Sequence, residues 1–233
     1  MKKLLLICTA LFAGNVNAGM IGVWGGDFSD WNSYLTTSGH TAVSVGSGSS
    51  AAQLADLDQV WLIRQNGNSN LVDYVDNGGT LVTEWSGANW ALSTAALIDA
   101  NADSLGFVGT NTQITFTQAG LDLNLGDNTG NPYANGGSTE FFYSFNNLGV
   151  DVDVVASITG YDVGVTGAYG AGNVLALGWD WQDVGASNAL TQNLVTDISN
   201  VSFSPENVPE PASIALLTLG LAGIGFSRKK KTT

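Results

Sequence analysis

Between residues 20 and 84 the sequence alternates strand-like and helix-like segments, and this limits the fold more than any other feature. MIGVWGG (20–26) reads as a buried strand ending in a glycine turn. SDWNSYLTTSG (29–39) reads as a helix, with Trp31, Tyr34 and Leu35 on one face and Gly39 closing it. HTAVSV (40–45) is a second strand, GSGSSAAQLADLD (46–58) a loop holding a short helix, and QVWLIR (59–64) a third strand. SNLVDYVDNGG (69–79) is a helix with Leu71, Tyr74 and Val75 inward and Asn-Gly-Gly as its stop. TLVTE (80–84) is a fourth strand. Such alternation predicts parallel βαβ units and an α/β fold: a doubly wound, mostly parallel sheet.

Beyond residue 90 the pattern loosens. Residues 94–102 read as a helix and 112–117 as a strand. GLDLNLGDNTGNPYANGGS (120–138), rich in Gly and Asn, reads as a long surface loop or an insertion. Asp122, Asn124, Asp127 and Asn128 offer oxygen atoms there, without the spacing of an EF-hand. Residues 141–145, 152–158, 162–166 and 173–178 are β-like, which makes the C-terminal portion β-rich. Residues 187–199 form a helix with Leu190, Leu194 and Ile198 on one side.

The two ends read as processing segments. Lys2 and Lys3, a short apolar stretch over 4–13, and Val16-Asn17-Ala18 have the anatomy of a signal peptide. Cleavage between Ala18 and Gly19 is expected. Residues 203–211 form a proline-marked linker, 212–227 a hydrophobic helix and 228–233 a basic tail, leaving 19–202 as the α/β body. The hydrophobic segment is shorter than the roughly 20 residues that span a bilayer. The basic cluster beyond it is expected to stay cytoplasmic and to stop transfer.

Removing the ends changes the charge balance. Lys2, Lys3, Arg228, Lys229, Lys230 and Lys231 lie outside the body, so Arg64 is its one cation. All 20 Asp and Glu lie between Asp27 and Glu210. Such a surface has no means of neutralising phosphates, and nucleic acid is excluded as a partner. Cys8, the only cysteine, leaves with the leader, and His40 is the only histidine. Thiol chemistry, disulfides and imidazole metal centres are therefore excluded by count, and no cofactor or metal is expected. His40 opens the second strand, at the amino edge of the predicted sheet and away from Ser86, which argues against a Ser-His-Asp hydrolase.

Two resemblances extend this reading. VWLIR (60–64) and LVDYVDNGGTLVTEWSG (71–87) resemble the flavodoxin-like core shared by class I glutamine amidotransferases and ThuA-like proteins. GNVLALGWDWQDVG (172–185) resembles the last strand of that fold. In that family a tight G-x-C-x-G turn carries the nucleophile. The corresponding turn here is Thr83-Glu84-Trp85-Ser86-Gly87, with Trp85 in place of the cysteine. The resemblance implies a flavodoxin-like sheet without amidotransferase chemistry. Val208-Pro209-Glu210-Pro211, the apolar helix and the basic tail resemble the PEP-CTERM sorting signal of Gram-negative bacteria. That resemblance implies an exported substrate of exosortase, tethered transiently to the inner membrane and linked to exopolysaccharide or biofilm.

Ligands of open α/β sheets bind beyond the carboxyl ends of the strands. Trp24, Trp85, Trp179 and Trp181 are expected there, beside Asp27, Glu84 and Asp180. Indole faces with neighbouring carboxylates suit sugar rings, so a saccharide crevice is one reading. Tryptophans that cap the sheet and pack loops are the other. Two functions remain open. One is a non-catalytic protein of the cell surface or extracellular matrix, associated with polysaccharide. The alternative is a glycan hydrolase using Glu84 and Asp180 as its carboxylate pair.

Overall fold

The computed structural model describes residues 18–106, 112–134, 141–181 and 188–203. Every element below belongs to the unit that ends at Val201. The first half follows the alternation of the sequence. Its elements are β1 (Met20–Gly25), α1 (Phe28–Thr37), β2 (Thr41–Val45), α2 (Ala51–Ala55), β3 (Gln59–Ile63), α3 (Ser69–Asp76) and β4 (Thr80–Glu84). Short α4 (Ser86–Asn89) follows β4 directly. The second half contains β5 (Asn101–Ser104), β6 (Gln113–Phe116), α5 (Gln118–Asp122), β7 (Tyr133–Ala134), β8 (Tyr143–Asn146), β9 (Val152–Ile158), β10 (Tyr161–Tyr169), β11 (Gly172–Leu177) and α6 (Asn188–Ser199).

One sheet carries the fold, in the order β2-β1-β3-β4-β11-β10-β9-β6-β7. Its first five strands are parallel, with β11 entering beside β4. This is the flavodoxin-like 2-1-3-4-5 arrangement, the fifth place being filled from late in the chain. The last four strands then run antiparallel to their neighbours. All five residues of β3 are buried, as a central strand covered on both faces requires.

Local chemistry sets the helix ends. The Asp27 carboxylate accepts from Ser29 N at the start of α1, and Asn68 Oδ1 accepts from Leu71 N at the start of α3. The α3 helix stops at Asn77, and Gly78 turns the chain with φ +108°. A Cβ at Gly79 would stand 2.3 Å from the Tyr74 ring, so only glycine lets that ring close the turn. Under α1, Trp31, Trp61 and Trp181 pack edge to face with centroids 5.0–5.8 Å apart, all fully buried. Gln59 is the polar residue of β3. Its Oε1 accepts from Trp61 Nε1 and its Nε2 donates to Ser199 O at the end of α6.

Two expectations from the sequence fail. Residues 94–102 are not a helix: Trp90–Thr94 forms a wide π-helical turn closed by Ala95 N donating to Trp90 O at 2.8 Å. Leu97, Ile98 and Ala100 then enter the core from irregular backbone, and β5 pairs antiparallel with β8. The apolar spacing was real, but tertiary contact satisfies it without helical hydrogen bonds. Nor is 120–138 a plain surface loop. Its described part begins inside α5 and folds around the buried carboxylate of Asp197 on α6. Gly126 N, Asn128 N, Asn128 Nδ2, Thr129 N and Thr129 Oγ1 all donate to that carboxylate, at 2.7–3.2 Å. Asn128 therefore presents its amide hydrogens to an anion, and Asn124 donates to Asn200 O. Burial, with the Asp197 charge beside it, pushes the neighbouring Tyr133 hydroxyl far above its usual pKa.

The chain enters and leaves this unit at the amino edge of the sheet. Gly19 precedes β1 there, and Ser199 is held by Gln59, the first residue of β3. His40 is buried at the same edge, and its Nδ1 accepts from Gly19 N at 3.2 Å. Desolvation lowers its pKa below 6.5, against the opposing charge of Asp58. A histidine that resists protonation when folded stabilises above its unfolded pKa, and that contribution is lost as pH falls through the lowered folded value. Urea denaturation at about pH 7.5 and about pH 5.5 is expected to show this loss. His40→Gln should flatten the difference; an unchanged difference would assign it to other groups.

Candidate functional site

The carboxyl ends of β3, β4 and β11 lie level, because Ile63 pairs with Glu84 and Ala176 with Thr83. Directly after β3 and β4 the backbone turns sharply. Arg64 has φ +54° and Trp85 has φ +45° with ψ −113°. Positive φ in bulky side chains is uncommon and costs on the order of 1–3 kcal/mol each. At the second turn the chain passes from Glu84 through Trp85 into α4 without a loop. A Cβ at Gly87 would lie 2.6 Å from Leu62 O, so glycine here lets α4 press against β3. This is the strand-turn-helix geometry of a nucleophile elbow, with an indole at its tip.

Side chains from three elements converge on this turn. Arg64 Nη2 donates to Asp180 Oδ1 at 2.5 Å, and Arg64 Nε lies 3.7 Å from Glu84 Oε1. The Glu84 side chain is fully buried and that of Asp180 nearly so, while Arg64 keeps 29% of its side chain exposed. Two acidic side chains thus flank one guanidinium. Low local dielectric strengthens that attraction. The guanidinium also sits over the Trp85 ring, 5.8 Å from its centroid. On its own side Trp85 stacks on Phe142, centroids 4.0 Å apart and planes 16° from parallel. Phe142 is held there because Phe142 N and Tyr143 N both donate to Gly178 O, just past β11.

Of the residues the sequence nominates, the structure brings Glu84, Trp85 and Asp180 together. The stacking surface expected of Trp24, Trp179 and Trp181 does not exist: they are 1%, 0% and 0% exposed. Trp24 packs into the apolar cluster with Leu54 and Leu62, and Trp179 lies against Phe141. Trp181 joins Trp31 and Trp61 and donates its Nε1 to Thr83 O at 3.2 Å. Asp27 is exposed, but its carboxylate caps α1. Arg64 and Phe142 are the site residues that sequence reasoning missed. Arg64 carried a signal, being the body's one cation and standing directly after a buried strand. Phe142 carried none, since its partner Trp85 is far away in sequence.

Among the described residues no group of three or more His, Cys, Asp or Glu is placed to hold a metal. Nor is any described helix long and apolar enough to cross a membrane. The hydrophobic segment 212–227 lies outside the described residues. So do Pro209, Glu210, Pro211, Arg228, Lys229, Lys230 and Lys231. Ala18 is exposed and Gly19 half-buried.

Comparison with known proteins separates tail from body. Residues 207–229 match the PEP-CTERM protein-sorting motif. The chain therefore carries the signal of an exported protein, tethered at the membrane for sorting, with exosortase as its processing partner. No curated protein matches the sequence. In fold, the chain is similar to a cytoplasmic protein of Salmonella typhimurium LT2. They share 13% identity and a TM-score of 0.55 over 78% of this chain and 96% of that one. A GMP synthase-type protein of Thermoplasma acidophilum aligns at 13% identity and TM-score 0.54, over 78% and 95%. A ThuA-like protein of Bacteroides uniformis aligns at 11% and 0.53, over 78% and 89%. The body thus has the fold of the amidotransferase-like and ThuA-like proteins.

Proposed function

We propose that the body is a non-catalytic saccharide-binding module, delivered by its sorting signal to the cell surface or extracellular matrix. The observation that carries this reading is the occupant of the elbow: Trp85, stacked on Phe142, stands where a nucleophile would. A half-exposed aromatic pair beside a guanidinium offers an apolar face and a donor to a sugar ring. Glu84 and Asp180 have another task. Both are withdrawn from solvent and bound to the same cation, whereas a hydrolytic pair must reach the glycosidic oxygen from two sides. The strongly acidic body favours neutral sugars over uronates.

The test uses the exported full chain and a panel of glycans that includes exopolysaccharide from a Gram-negative host. Trp85→Ala is expected to weaken binding by about tenfold or more, the loss of roughly 1.4 kcal/mol of stacking, while circular dichroism stays that of the parent. Glycan cleavage by the parent that disappears in Glu84→Gln or Asp180→Asn would replace this reading with the hydrolase. Undiminished binding by Trp85→Ala would move the contact surface elsewhere.

A further inference from the structure

The amino edge of the sheet holds a second polar cluster, built around the backbone nitrogen of Gly19. That nitrogen lies 3.2 Å from His40 Nδ1, and the next one, Met20 N, donates to Asp58 Oδ2 at 2.7 Å. The backbone there is pinned on both sides. Thr41 N donates to Gly19 O and Asp58 N to Met20 O, each at 2.9 Å. A Cβ at Gly19 would stand 3.2 Å from Asp58 Oδ2 and 3.4 Å from His40 Nδ1, so residue 19 sits against both side chains. Ala18, one residue earlier, is already exposed.

In the uncut chain Gly19 N is an amide with one hydrogen. Hydrolysis of the Ala18–Gly19 bond consumes one water: hydroxide joins the Ala18 carbonyl and hydrogen joins Gly19 N. The freed amine takes a further proton at neutral pH and becomes an ammonium with three donors. We propose that His40 and Asp58 form the receptor for this new amino terminus, which locks the processed chain onto the start of β1. Neutral His40 supplies a lone pair at Nδ1, and Asp58 supplies the opposite charge. The cation in turn reinforces the neutral form of His40, because like charges would meet there. Tyr74 on α3 is a further titratable group near Asp58, and burial holds its hydroxyl protonated far above neutral pH. The inference rests on export of the chain and not on the saccharide reading.

The experiment uses the full-length precursor, expressed with its own leader in a Gram-negative host and labelled with ¹⁵N-glycine. The exported product should begin at Gly19 by amino-terminal sequencing. Its α-amine should titrate about half a pKa unit or more above the ordinary 7.7–8.0. Asp58→Asn should return the titration to the ordinary range. Inserting one serine between Ala18 and Gly19 should do the same with Asp58 intact, which covers the case of a poorly folded Asp58→Asn. An amino terminus other than Gly19, an ordinary titration in the parent, or a raised value that survives both changes would each overturn the proposal.

Discussion

Asp197→Ala is expected to cost roughly 3–5 kcal/mol in urea denaturation. The carboxylate is almost wholly buried and accepts five hydrogen bonds from Gly126, Asn128 and Thr129. Removing it strands three backbone N–H groups, and each buried donor left without a partner costs roughly 1–3 kcal/mol. The losses do not add fully, because the loop relaxes and water enters. Asp197→Asn keeps the shape but removes the charge and turns half of the acceptor into a donor. It should cost less than alanine, on the order of 2 kcal/mol. For a body of this size the alanine variant should melt about 10 °C lower. A loss below about 1 kcal/mol would mean that solvent replaces the carboxylate easily, and that the loop does not depend on it.

Arg64→Met should cost roughly 3 kcal/mol, and the cost should fall sharply once its two acidic partners are neutralised. The reason is asymmetry. Removing one member of a buried ion cluster leaves the rest charged and desolvated, at about 3–5 kcal/mol. Arg64 keeps part of its side chain in water, which places the figure at the lower end. The triple variant Arg64→Met, Glu84→Gln, Asp180→Asn removes the ionisable groups of all three residues together. It should recover about half of the loss or more, since apolar or neutral replacements of buried ion pairs are often near neutral. Urea midpoints for the single, double and triple variants complete the cycle. If the triple variant is no better than Arg64→Met alone, charge is not what holds the elbow, and the guanidinium acts by packing on Trp85.

The parallel half of the fold was legible because its determinants are local. Apolar runs, Gly39 after α1 and Asn-Gly-Gly at the end of α3 each act within a few residues. The antiparallel half was legible as strands but not as a sheet order, because strands that pair, such as β6 and β9, lie far apart in sequence. The loop after α5 was opaque for the same reason. Its organising residue, Asp197, lies 68–71 positions away. The site divides likewise. Glu84, Trp85 and Asp180 follow from strand ends, which identify the edge of the sheet. They do not say which side chains at that edge are roofed over. The choice between contact surface and packing stayed open for Trp181 because its cover comes from Trp31 on α1 and Trp61 on β3, and neither neighbour is visible in the sequence around it.

The placement of the chain ends gives the body a direction. Gly19 and Ser199 both sit at the amino edge, and Trp85 with Phe142 sits at the other, a strand length of roughly 15 Å away. A change at the Gly19 edge is therefore expected to leave the geometry of the aromatic pair untouched. Substitutions at His40 or Asp58 and substitutions at Trp85 can therefore be combined as independent tests, because sites this far apart without shared partners add in free energy.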